Sequence, residues 1–263
     1  MGMIILLHSS KTMRLTPAGE IALRQPALIE KAKQLDAYLK TLSVEQLAQS
    51  MELSPALAEK TRDLIAAWRP EGQSPAVDSF IGDIYSGLRA NELSPAERNR
   101  ADERLFILSG LYGVLRPYDG ICPYRLEMNY TLPDPAFSNL PAFWGDAVAA
   151  CLPQNGPIVN LAAQEYTQVV TRHLPADAKQ HIAAPRFLTV QPKTGKPTFV
   201  VVHAKIARGA FARWLITNQI DDISELTQFD DLGYRYEAAL SAPGSPTFVC
   251  ETFGGKGLSI RLQ

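Results

Sequence analysis

A chain of 263 residues, 46% hydrophobic and 20% charged, can bury most of its apolar surface without covalent staples, and such a composition excludes a disordered chain. Its longest apolar runs, residues 3–7 and 199–202, are far too short to span a bilayer, and no charged secretory leader precedes them. A cytoplasmic protein with no membrane partner is expected. Three widely spaced cysteines (Cys122, Cys151, Cys250) and four histidines in no metal-binding spacing argue against a disulfide framework and a local metal site. No metal and no cofactor are therefore expected.

The net charge of −1 speaks against a nucleic-acid partner, but its distribution is segregated. Seven basic residues and no acid fall between Lys179 and Ile220, and five acids with no base fall in the next eleven residues. Such a pattern can give a neutral protein one positive face. Charges that merely solvate different faces would look the same.

In chain order, residues 3–8 form a continuous apolar run that predicts a buried strand delivering His8, Ser9, Ser10 and Lys11 at its C-terminal end. Helical spacing follows over residues 26–42, and Ser43 with Gln46, Ser54-Pro55, and Ser94-Pro95 with Glu97 mark three further helix starts. Residues 158–161, 187–190 and 198–203 read as strands. A helix is predicted over residues 205–219, and short strands at 234–236, 247–250 and 258–262. This order predicts an α/β (mixed α+β) fold: one domain over residues 1–263, with a single mixed sheet flanked by helices.

The densest chemistry lies in residues 108–127, LSGLYGVLRPYDGICPYRLE. Gly110 and Gly113 allow a tight turn or the close approach of a phosphate to backbone amides, so a helix-hairpin-helix-like element is expected here; a buried strand turn is the competing reading. Arg116 and Arg125 are planar, permanently charged groups suited to phosphate or carboxylate, although Arg125 and Glu127 also share a strand face. Asp83 and Tyr85 lie between Gly82 and Gly87. Asn160, Glu165 and Tyr166 follow a predicted strand, where site residues or helix caps are both common. Lys205 and Arg208 share one helix face, with Arg213 on its far flank. Near a helix start the dipole opposes such cations, which favours an anionic ligand as their reason.

Several ordered strings resemble the YaaA-type peroxide-stress proteins over nearly the whole chain: residues 10–13, 82–88, 108–117, 123–128, 143–146, 160–162 with 165–166, and 205–209 with Arg213. The resemblance implies an α/β fold with a helix-hairpin-helix element and a positive cleft. It also implies a cytoplasmic protein, induced by hydrogen peroxide, that limits unincorporated iron and binds duplex DNA without strong sequence preference. Carried over by position, the DNA- or anion-binding set is Lys11, Gly110, Gly113, Arg116, Arg125, Lys205, Arg208 and Arg213. His8 departs from the family's usual first motif, which places serine, proline and alanine before the lysine; it is either a titrating site group or a satisfied structural one. The alternative is an enzyme acting on a nucleobase, nucleotide or modified nucleic acid, a nucleotide-like small molecule then being the partner. Glu165 or Asp83 would be its acid or base, and Lys11 or Lys205 its anion stabiliser or nucleophile. Direct iron handling and an oxidant-sensitive Cys122 are further readings.

Overall fold

The computed structural model describes residues 2–153 and 155–258. Its centre is the strand Ile4–His8, all five residues buried, as the uninterrupted apolar run requires. It pairs in parallel with Leu105–Ser109 on one side and with Ile158–Asn160 on the other. Ile182–Ala183 adds a further parallel strand beyond the second, and Gly113–Leu115 an antiparallel one beyond the first. The connection from the central strand runs to Leu105–Ser109 and that from Ile158–Asn160 runs the other way to Ile182–Ala183, so the crevice bordering Asn160 lies at the reversal point where ligands of open α/β sheets bind.

The single expected sheet is corrected to two larger sheets and two short ribbons. The second larger sheet takes Pro197–Thr198, Arg186–Val190, Thr247–Cys250 and Tyr234–Tyr236 in that order. Its inner face packs Phe187, Tyr234 and Phe248 against Phe211 of a long helix, Val201–Thr217. That aromatic core needs two apolar faces of its own, which is why the C-terminal strands close on each other and not on the first sheet.

The strand expected over residues 198–203 is also corrected: it stops at Thr198, and Val201 begins the long helix. β-Branched residues favour strands only weakly, and tertiary packing decides here. The helix is buried nearly all round, and it crosses the short helix Asp83–Leu88 at glycines of both. A Cβ on Gly209 would lie 1.8 Å from the Ile84 carbonyl oxygen, and one on Gly87 2.0 Å from that of Ile206. Only glycine permits this approach.

The helix-hairpin-helix expectation is not met at residues 108–116. Leu105–Ser109 and Gly113–Leu115 are the arms of a β-hairpin, with Ser109 opposite Gly113. Gly113 takes φ +71°, and a Cβ on Gly110 would sit 2.3 Å from the Leu126 carbonyl oxygen. The glycines serve a left-handed turn and a close packing contact, and both are buried. Two capping boxes form as the sequence predicts, Ser43 with Gln46 and Ser94 with Glu97. The strand expected over residues 258–262 lies, apart from Leu258, outside the described residues.

Candidate functional site

The end of the central strand places His8 and Ser9 in the interior, 6% and 4% exposed. Nδ1 of His8 accepts a hydrogen bond from the Ala163 amide at 3.2 Å, and its ring stacks on Tyr166 with centroids 4.9 Å apart. The Tyr85 hydroxyl donates to the His8 carbonyl at 3.0 Å, tying the helix Asp83–Leu88 to the same strand end. Burial, reinforced by the nearby charges of Arg208 and Lys205, lowers the pKa of His8 to about 3. The imidazole is neutral at physiological pH, and with Nδ1 accepting, Nε2 carries the proton. His8 is therefore a fixed donor and not a titrating group.

Beside it a crevice of about 780 Å³ opens along the helix Gln164–Thr171. Three arginines line it: Arg208 from the long helix, partly buried, and Arg172 and Arg186, both exposed. Glu165 is the one acid in that lining, and Asn160, Thr167 and Gln168 supply amides and a hydroxyl. Among the described residues, none of the three guanidiniums has a side-chain hydrogen bond or an ion pair within 4.0 Å. Burial lowers the pKa of Arg208, with Glu165 opposing; an arginine with so high an ordinary pKa stays charged regardless. A desolvated cation with no counter-ion is costly unless a ligand completes it. Thr167 and the Ala162 amide both donate to Asn160 Oδ1 at 3.1 Å, which fixes the side chain at this strand end.

A second cluster lies on the other side of Tyr166. The Lys11 ammonium stands 3.8 Å from Glu127 Oε2, and Arg125 donates through Nη1 to the Lys11 carbonyl at 3.4 Å. The Tyr166 hydroxyl hydrogen-bonds Glu127 and accepts from Ser9 at 3.5 Å. Tyr124 and Ser109 share a 2.6 Å hydroxyl pair. Burial raises the pKa of Glu127, while Lys11, Tyr166 and Arg125 oppose it. A chain of buried hydroxyls thus ends on an acid beside a lysine.

The structure brings Lys205 and Arg208 near His8, with Glu165 beside Arg208, and sets Lys11 and Arg125 in the neighbouring cluster. Arg116 and Arg213 are elsewhere. Arg116 follows the hairpin's second arm to the opposite end of the sheet, where its guanidinium donates to the Asp102 carbonyl. Arg213 donates to the Arg89 carbonyl at 2.9 Å and pairs with Glu92 at 3.6 Å, beyond the end of the helix Asp83–Leu88. In the glycine turn the Tyr112 amide already donates to Ser109 Oγ at 3.0 Å. Asp83 is buried in the first turn of its helix. Cys122 is buried and its thiol donates to the Glu71 carbonyl at 3.8 Å.

The long helix starts at Val201, so Lys205 lies in its second turn and Arg208 further on; the dipole argument for these cations weakens, and the unpaired state of Arg208 replaces it. Arg172 was invisible in the charge pattern. Its signal was helical spacing, since Gln164, Gln168 and Arg172 recur every four residues on one face.

A family model described as peroxide stress protein YaaA matches residues 3–240. A "UPF0246 protein" of Salinispora tropica is 62% identical over 261 residues, covering 98% of each chain. UPF0246 proteins of Bordetella petrii and of a Ruegeria species are 40% and 36% identical, covering 94% of this chain in each case and 98% and 99% of their own.

Proposed function

The chain belongs to the YaaA peroxide stress protein family, and from that premise we propose that it binds duplex DNA without sequence preference through the arginine crevice and so limits iron-mediated oxidative damage. The observation that carries this is the partly buried Arg208, which among the described residues has no ion pair within 4.0 Å, is flanked by Arg172 and Arg186, and is opposed across the crevice by Glu165 alone. Guanidiniums match phosphate oxygens in pairs and read no bases. With Lys205 nearby, about four phosphates are neutralised, so log affinity should fall against log salt with a slope near −3 to −4. Replacing Lys205 and Arg208 by alanine should flatten that slope by about two. No duplex binding at low salt would remove the reading. Protection of DNA from ferrous iron and peroxide, lost in the same double variant, is the matching functional assay.

A second reading, an enzyme acting on a nucleobase, nucleotide or modified nucleic acid in the same region, is favoured by Glu127. That acid is buried, hydrogen-bonded to Tyr166 and 3.8 Å from Lys11, as a proton donor or acceptor beside an anion-stabilising cation would be. Release of a base or altered nucleotide from DNA by the wild type, and not by Glu127→Gln, is its test. Unchanged DNA after prolonged incubation speaks against it.

A further inference from the structure

The arginine crevice is smaller and more highly charged than passage of a duplex backbone requires. Its 780 Å³ falls within the roughly 300–1,000 Å³ of sites that enclose one small ligand. Three guanidiniums against the single carboxylate of Glu165 leave two positive charges facing one open-sided crevice. A phosphodiester brings one negative charge; a phosphomonoester brings about −1.5 to −2 near pH 7. Of the other basic candidates, Arg116 and Arg213 are committed to backbone carbonyls elsewhere and Lys11 pairs with Glu127, so Arg208, Arg172 and Arg186 are the cations that line the crevice.

The neighbouring groups fit the same ligand. The first turn of the helix Gln164–Thr171 borders the crevice, and no side chain caps it. Amides of such a turn favour a compact anion. Gln164 adds an amide to the wall, and Thr167, Thr171 and Gln168, whose donors are held by Asn160 and by backbone carbonyls, present acceptor oxygens to the sugar and base edges that accompany a nucleotide's phosphate.

We propose that the crevice binds a terminal phosphomonoester, with Arg208 gripping the phosphate from within and Arg172 and Arg186 closing on it from the rim. This rests on the reading of the crevice as an anion site and names the anion. The same chemistry is offered by a phosphorylated DNA end and by a free nucleoside monophosphate.

The experiment measures binding of one short blunt duplex with and without 5′-phosphates, by fluorescence anisotropy at fixed ionic strength, with a nucleoside 5′-monophosphate and inorganic phosphate as competitors. The phosphorylated duplex should bind at least about tenfold more tightly, equivalent to about 1.4 kcal/mol. Arg208→Ala should abolish that gain. Arg208→Lys, which keeps charge and fold but loses the planar fork, should lose most of it. If the phosphate adds nothing while both duplexes depend equally on Arg208, the inference fails and duplex binding through the crevice stands. If neither duplex binds but the monophosphate does, in an Arg208-dependent way, the inference stands with the free nucleotide as its source, and the duplex reading fails. Failure of every probe overturns both.

Discussion

Replacing Gly209 by alanine tests the helix crossing that holds the site together. The added Cβ would lie 1.8 Å from the Ile84 carbonyl oxygen and 2.7 Å from the Leu88 amide nitrogen. Both are backbone atoms of the helix Asp83–Leu88, so no side chain can swing aside. To reach ordinary contact the helices must part by on the order of 1.5 Å. Overpacking of this kind costs about 1–3 kcal/mol, and here the upper part of that range applies because both neighbours are backbone. Alanine regains about 1 kcal/mol of helix propensity over glycine. The net loss should be about 2 kcal/mol, or roughly 4–8 °C in Tm for a chain of this size. Thermal unfolding and the urea midpoint measure it. Gly87→Ala, whose Cβ would lie 2.0 Å from the Ile206 carbonyl oxygen, should behave alike. An unchanged or raised Tm in both variants would refute the close crossing.

Tyr112→Phe leaves the Trp68 indole and the Cys122 amide, which donate to its hydroxyl at 2.7 and 3.1 Å, without an acceptor. About 2–4 kcal/mol of stability should be lost, read from urea unfolding; a neutral result contradicts the buried pairing. His8 binds its proton at 6.5 when unfolded and only at about 3 when folded, so the unfolded state takes up more protons between those values. Stability should fall as pH drops through that window, by about 1.4 kcal/mol per pH unit from this group. His8→Gln should remove that component of the slope, and an identical pH profile would deny the histidine its burial. Arg213→Ala should cost about 1–2 kcal/mol through the carbonyls it caps yet leave the salt slope of DNA binding unchanged, whereas Arg208→Ala should do the reverse. A fall in DNA affinity in a fully folded Arg213→Ala variant would restore Arg213 to the site.

Local rules carried most of the secondary structure. The apolar run before His8, the paired caps at Ser43 and Ser94, and the helical spacing after Pro55 each record a short-range preference, and each forms its element. What the sequence hid is non-local. Nothing within residues 105–115 says that they border Ile4–His8, and two glycines around Leu111 and Tyr112 suit a helix turn and a β-turn equally. The same limit applied to the site. Lys205, Arg208 and Glu165 were legible because cations on a buried helix and an acid at a strand end are locally out of place. The positions of Arg116 and Arg213 turned on which carbonyls lay within reach, which only the assembled fold decides. Arg172 and Arg186 acquire meaning only from the crevice between them.

The central strand also sets the timetable of the protein's own making. It is synthesised before both of its partners, since Ile5 pairs with Leu105 and Ile4 with Ile158. At ordinary rates of translation its nearest partner emerges roughly 5–20 s later. During that interval four apolar residues and His8 have both hydrogen-bonding edges open, which is the condition that recruits holdases or seeds aggregation. Closing such long loops is slow as well as late. What shields residues 4–8 on the ribosome therefore sets how much of the chain reaches the finished sheet without aggregating.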